Sequence, residues 1–177
     1  MNKILFTRLS LYIIIILTMS CVNETDTAMY STSLDSENSS LLVSYGNVVL
    51  RINEEAFKEI NDNRVNNISS GDSYIINNAI RKGDFIEINL SYSGGCMPHN
   101  FEIIWDGLVY TDEPSHMNLL LIHKESEDSC EALITETLVV DLKKLVGDVI
   151  YKDSCEYRIF STYNSTDLAD VVVESIN

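Results

Sequence analysis

Hydrophobic and polar residues alternate in short runs along most of the chain after residue 40. Alternation with a period of two is typical of a β-strand that buries one face and exposes the other, and this pattern is common in antiparallel sheets. In the clearest run, Ile86, Ile88, Leu90 and Tyr92 share one face, and Glu87, Asn89 and Ser91 share the other.

The remaining runs predict an all-β domain. A hairpin is expected at Lys82-Gly83-Asp84, and Asn53 is expected to cap a short helix over 53–60. Residues 116–123 are apolar on both faces, as in a central strand. Further strands are expected at 46–52, 74–80, 101–105, 108–110, 133–142, 149–151, 155–162 and 170–176, with connections at 61–72 and 143–147. We therefore predict an antiparallel β-sandwich of about seven to nine short strands, with a closed barrel as the alternative.

The first twenty-one residues have the three parts of an export signal. Lys3 and Arg8 precede an apolar run at 9–17, and a small residue stands immediately before Cys21. The run is too short to span a membrane of about 30 Å as a permanent helix. The ending resembles a bacterial lipobox, although Thr18 stands where leucine is usual. The resemblance implies cleavage before Cys21 and lipidation of its thiol. An ordinary signal peptide and an uncleaved anchor are the alternatives.

Composition divides the chain into three parts. Residues 1–20 form the predicted lipoprotein signal peptide, and residues 21–40 are too polar to bury a core, so they are expected to be a flexible tether. Residues 41–177 form the predicted β-sandwich domain. Glu24 and Asp26 resemble the acidic signal of surface-exposed Bacteroidetes lipoproteins. The expected location is the outer membrane, facing the periplasm or the exterior.

The chain is strongly acidic. It has 12 Lys and Arg against 27 Asp and Glu. Removing Lys3 and Arg8 with the leader leaves 10 cations against 27 carboxylates, a formal net charge of −17. Such a surface repels phosphate backbones, so nucleic-acid binding is not expected, whereas cations are attracted.

Rare residues concentrate around Gly94-Gly95. Cys96, His99, His123 and Cys130 lie near predicted strand ends, where they could converge. In an exported domain, a Cys96–Cys130 disulfide is the favoured hypothesis, with a bridge from Cys130 to Cys155 as the alternative.

Two other hypotheses use the same residues. The four residues Cys96, His99, His123 and Cys130 offer a tetrahedral zinc or Cu(I) set, although their spacing is not that of a zinc finger. Cys96 with His99 as base would suit a thiol-dependent enzyme. The structural interpretation is that Gly94-Gly95 forms a tight bend, and on this basis valine at Gly95 should disturb the fold more than valine at Gly71.

The same region resembles a group of Bacteroidetes lipoproteins. The matching residues are Gly94-Gly-Cys-x-x-His-x-Phe101, Trp105-Asp-Gly107, Leu119-Leu-Leu-x-His123, Cys130–Leu138 and Asp141-Leu142. They are also loosely similar to the β-sandwich part of NigD-like lipoproteins. The resemblance implies an envelope location and a β fold, but no reaction.

These observations favour a monomeric, envelope-anchored lipoprotein that acts as a non-enzymatic binding or structural module. Its expected partners are the membrane, through the lipid anchor, and another envelope protein. No cofactor is expected. A metal-handling protein that uses His99 and His123 with nearby cysteines or carboxylates is the alternative, and an enzyme with Cys96 as nucleophile is the third hypothesis.

Overall fold

The computed structural model describes residues 41–124, 126–148, 150–166 and 169–175, with the backbone alone for 41–45 and Ser175. The predicted signal peptide, the predicted lipidation site at Cys21 and the predicted tether lie outside these residues. In chain order the elements are β1 (Leu41–Tyr45), β2 (Val48–Ile52), α1 (Glu54–Val65), β3 (Ile75–Lys82), β4 (Phe85–Gly94), β5 (Phe101–Trp105), β6 (His116–His123), β7 (Ala132–Asp141), α2 (Leu142–Val146), β8 (Glu156–Ser161), β9 (Val171–Val172) and β10 (Glu174–Ser175).

The strands form two sheets. The first has the order β1-β2-β5-β6-β8-β9, and the second has the order β10-β3-β4-β7. One hydrophobic cluster contains residues of both sheets, including Leu50, Ile103 and Leu121 from the first and Ile88 and Leu138 from the second. The domain is therefore mostly β, as predicted, with its sheets joined by a shared core.

The predicted antiparallel arrangement is wrong for three strand pairs. β2 with β5, β6 with β8, and β10 with β3 are parallel. Parallel neighbours need a long crossover. After β2 the chain passes through α1, β3 and β4 before it returns as β5, and between β6 and β8 it passes through β7 and α2. The mixed sheets therefore follow from a chain that leaves one sheet for the other and re-enters beside its point of departure.

The predicted hairpin, the buried face of β4 and the helix cap are confirmed. The hairpin forms with Lys82 opposite Phe85, and the apolar face of β4 is buried from Ile86 to Tyr92. The side chain of Asn53 accepts a hydrogen bond from the backbone N–H of Ala56 at 2.8 Å, so it caps α1. These features depend on neighbouring residues alone.

Helix α1 is longer than predicted, because residues 61–65 continue the helix instead of starting a loop. Arg64 is buried, with its guanidinium 4.8 Å from the centre of the Phe160 ring and bonded to Asn61. Phe57 packs on the outer face of the first sheet with Ile104, a burial that contributes about 1.5–3 kcal/mol. The helix thus covers β5 and β6, which explains why β6 is apolar on both faces.

Other segments differ from the prediction. Residues 108–110 form only an isolated bridge, between Tyr110 and His116. The described part of 149–151 is a turn, and the connection at 143–147 is mostly helix α2, capped by the side chain of Asp141. No helix among the described residues is long and apolar enough to cross a bilayer.

Candidate metal centre

A disulfide joins Cys96, in the loop after β4, to Cys130, just before β7. Their Cα atoms are 5.9 Å apart and 34 residues separate them in the chain. This is the pairing that the sequence favours. Cys155 is a free, buried thiol, and burial raises its pKa. While the bridge is intact, Cys96 offers no thiolate for nucleophilic attack, and the two sulfurs are not available for the four-residue set with His99 and His123.

The structure brings His99 and His123 together. His123 ends β6 opposite Phe101, the first residue of β5, and Nδ1 of His99 lies 2.8 Å from Nε2 of His123. Both histidines are buried. The Phe101 ring stacks on His123 at 4.6 Å between centroids, and Tyr92 contacts both imidazoles. The pair is therefore held between aromatic rings in the core.

The outer nitrogens of the two rings face hydrogen-bond acceptors. Nε2 of His99 donates to Oδ2 of Asp128 at 3.1 Å, and Nδ1 of His123 donates to the carbonyl oxygen of Ser73 at 3.2 Å. These bonds assign a proton to each outer nitrogen. In two neutral rings, the inner nitrogens are then both acceptors.

Two acceptor nitrogens 2.8 Å apart repel each other unless a cation neutralises the contact. The cation is either a proton, shared when one ring is protonated, or a metal ion that binds both nitrogens. Burial lowers the pKa of His123. The neutral His123 that a metal ion requires is thus the favoured form.

Asp128 holds the outer side of His99. Its Oδ2 accepts hydrogen bonds from the backbone N–H groups of Gly95, Cys96 and Met97, each at 2.9 Å, and Oδ1 accepts one from Cys130. Led by the Cys130 bond, these backbone donors hold the pKa of the Asp128 carboxyl well below its usual range. Asp128 is therefore a fixed anion behind the histidine pair.

A second carboxylate lies on the open side of the pair. Oδ2 of Asp72 accepts from the N–H of Ser126 at 2.7 Å and from its hydroxyl at 2.9 Å. One carboxylate oxygen of Asp72 and a ring nitrogen of each of His99 and His123 lie within 4.8 Å of one another. A cleft of about 320 Å³ is lined in part by Asp72, Ser126 and Asp128.

Three glycines make these approaches feasible. A Cβ on Gly94 would lie 2.4 Å from Nε2 of His99, and Gly95 has a φ of +112°, so the tight bend predicted there is confirmed. Gly71 is more constrained, because its Cβ would lie 2.0 Å from the backbone oxygen of His123, whereas at Gly95 the nearest atom is the flexible end of Ile134 at 3.2 Å. The expectation that Gly95 is the more demanding position is wrong.

Ser126, His99 and Asp128 are arranged in the manner of a catalytic triad, but their bonding does not suit acyl transfer. The Ser126 hydroxyl donates to Asp72 and lies 3.4 Å from Nδ1 of His99, which faces His123 at the shorter distance. The clustered N–H groups that could stabilise an oxyanion already bond Asp128. This arrangement suits cation binding better than nucleophilic attack.

Asp72 and Asp128 were not identified from the sequence as site residues. Both lie in polar segments that the sequence predicts to be solvent-exposed loops, and neither belongs to a recognisable metal-binding motif. Their one sequence signal is position, since Asp72 follows a glycine and Asp128 precedes a cysteine of the bridge by two residues.

Comparisons with protein-family models, with curated proteins and with solved structures found no match.

Proposed function

We propose that the protein is an envelope-anchored, non-enzymatic β-sandwich module that binds a divalent transition-metal ion through His99 and His123, with Asp72 as a third ligand. The observation that carries this proposal is the 2.8 Å approach of two inner imidazole nitrogens whose outer nitrogens both donate hydrogen bonds.

The hydrogen bonds of the outer nitrogens support the proposal. Histidines that bind metals nearly always donate their second ring N–H to a carboxylate or a backbone carbonyl, which fixes the tautomer and turns the other nitrogen to the metal. His99 donates to Asp128 and His123 to the carbonyl of Ser73. The carboxylate of Asp128 and the carbonyl of Ser73 are thus the two kinds of hydrogen-bond acceptor that orient metal-binding histidines.

The spacing of the nitrogens is compatible with coordination. A metal ion about 2.0–2.1 Å from both nitrogens would lie beside the line that joins them, with an angle near 90° between the two metal–nitrogen bonds. That angle suits square-planar or octahedral ions such as Cu²⁺ and Ni²⁺. The ring centroids are 4.9 Å apart, so the nitrogens face each other almost directly and both rings would have to turn toward the ion. Tetrahedral Zn²⁺ needs nitrogens about 3.4 Å apart, so the rings would have to separate by about 0.5 Å.

The ligand types define the class of ion. Imidazole nitrogens suit zinc, copper and nickel, whereas calcium and magnesium prefer oxygen ligands. Asp72 lies on the solvent side and would approach the ion as a carboxylate ligand. The net charge of −17, derived from the composition without the leader, would also raise the local concentration of cations.

The proposed address comes from the leader. Lipidation at Cys21 would hold the domain at the outer membrane on a polar tether. There it would act as a monomer, with access to periplasmic or external metal ions and to an envelope protein partner. Even two acyl chains suffice for durable anchoring.

Titration of the full chain, purified without a polyhistidine tag and freed of metal, tests the proposal with Cu²⁺ and Zn²⁺. We expect one ion per chain. Loss of a group that only orients a ligand lowers metal affinity by about 10–100-fold, so His99→Gln and His123→Gln, which each remove one of two nitrogen ligands, should lose at least about 100-fold. His116→Gln is the matched control, because His116 is also buried but begins β6, at the end opposite His123. No binding by the wild type, or an equal loss in the control, would refute the proposal.

A further inference from the structure

Asp128 connects the disulfide to the histidine pair. Four hydrogen bonds meet at its Oδ2, three from the backbone of Gly95, Cys96 and Met97 and one from Nε2 of His99. Cys96 lies within that run of donors, and Cys130 donates to the other carboxylate oxygen. The bridge therefore ties together the two backbone segments that hold the Asp128 carboxylate.

We propose that Asp128 is a positioning residue for the metal site and that the Cys96–Cys130 bridge controls metal affinity through it. This inference rests on the metal binding proposed above. When the bridge is intact, the carboxylate is fixed at Nε2 of His99, which keeps the proton there and directs Nδ1 to the metal ion.

Reduction of the bridge changes this support. A dithiol reductant attacks one sulfur, and exchange yields thiols at Cys96 and Cys130 and a disulfide in the reductant, with two electrons and two protons transferred to the protein. Cys96 is exposed and Cys130 is half-buried, so a reductant can reach the bridge. Hydrogen bonds alone then hold the two segments, so Asp128 positions the His99 ring less firmly.

The effect on affinity follows from the role of such supports. Loss of the group that orients a ligating histidine typically lowers metal affinity by about 10–100-fold. We expect a loss in this range for Cys96→Ser/Cys130→Ser, which removes the bridge without adding thiolate ligands. Asp128→Asn, which keeps the bridge, should lose affinity because the neutral amide no longer supplies a charged acceptor for His99.

Zn²⁺ titration of the full chain compares these variants with the wild type, each shown to be folded by circular dichroism. Glu127→Gln is the matched control, because this neighbouring carboxylate is exposed. A weakened Asp128→Asn together with an unchanged control supports the positioning role of Asp128. If the double serine variant does not fold, the tautomer of His99 in the reduced, metal-free wild type tests control by the bridge. Wild-type affinity in Asp128→Asn would overturn it.

Nitrogen NMR of His99 supplies a readout that general destabilisation would not reproduce. In the metal-free wild type, we expect the proton on Nε2, and in the double serine variant a mixture of tautomers. An unchanged Nε2–H tautomer in that variant would overturn control by the bridge. Metal binding by the wild type with no effect of these variants would refute the coupling alone, whereas absence of binding by the wild type would refute the metal site itself.

Discussion

Replacing Gly71 with alanine should both destabilise the domain and disturb the metal site. Gly71 has a φ of +82°, and an added Cβ would lie 2.0 Å from the backbone oxygen of His123. That oxygen also accepts the N–H of Asp72 at 2.9 Å, and the N–H of Ser70 donates to Thr162 at 2.8 Å. The loop cannot accept the new methyl group without moving away from β6.

The magnitude follows from two terms. A left-handed backbone conformation costs a non-glycine residue about 1–2 kcal/mol, and two lost hydrogen bonds cost about 0.5–1.5 kcal/mol each. The free energy of unfolding should therefore fall by about 2–5 kcal/mol in Gly71→Ala. Because Asp72 follows directly, metal affinity should fall as well.

Urea denaturation of the metal-free protein measures this loss, and Gly46→Ala is the matched control. Gly46 has a φ of +60°, but no atom lies within 4 Å of its added Cβ, so the control isolates the backbone term. Gly71→Ala should be the less stable variant by at least about 1 kcal/mol, the value of the hydrogen bonds alone. Equal midpoints at equal m-values would show that the loop is not held against β6, and the placement of Asp72 would then be wrong.

Three further predictions concern the bridge, acid stability and the anchor. Cys96→Ala/Cys130→Ala should lose about 4 kcal/mol in urea denaturation, as expected for a closed loop of 34 residues; an unchanged midpoint would contradict a stabilising bridge. A hydrogen bond from Lys143 lowers the pKa of Asp84 from 3.8 to about 2. The stabilising contribution of the ionised Asp84 is therefore present above pH 3.8 and lost as the pH falls toward 2. In Asp84→Asn, the free energy of unfolding should vary less with pH in that window. A wild-type pH dependence in the variant would refute this. Labelling with palmitate should be lost in Cys21→Ala, and label that persists would place the lipid elsewhere.

The sequence predicts those parts of the fold whose conformation is determined by neighbouring residues. The alternation along β4, the turn at Gly83 and the cap at Asn53 need no information from the rest of the chain. Strand direction does, because successive side chains point to opposite faces in parallel and antiparallel strands alike. The parallel pairing of β2 with β5 was therefore not predictable from pattern.

The candidate site divides in the same way. Cys96, Cys130, His99 and His123 attract attention as rare residue types near predicted strand ends. Asp72 is an ordinary loop carboxylate by sequence, and a hydrogen bond from its backbone N–H to the carbonyl oxygen of His123 holds it beside the histidines. The outer hydrogen bonds that assign the tautomers are likewise contacts between distant segments.

Electron paramagnetic resonance of the full chain loaded with one equivalent of Cu²⁺ reports directly on the two proposed histidine ligands. We expect two imidazole nitrogens in the equatorial plane of a single bound copper, with one nitrogen lost in His99→Gln and both retained in His116→Gln. A spectrum without nitrogen coupling, or one that changes only in His116→Gln, would contradict the proposal.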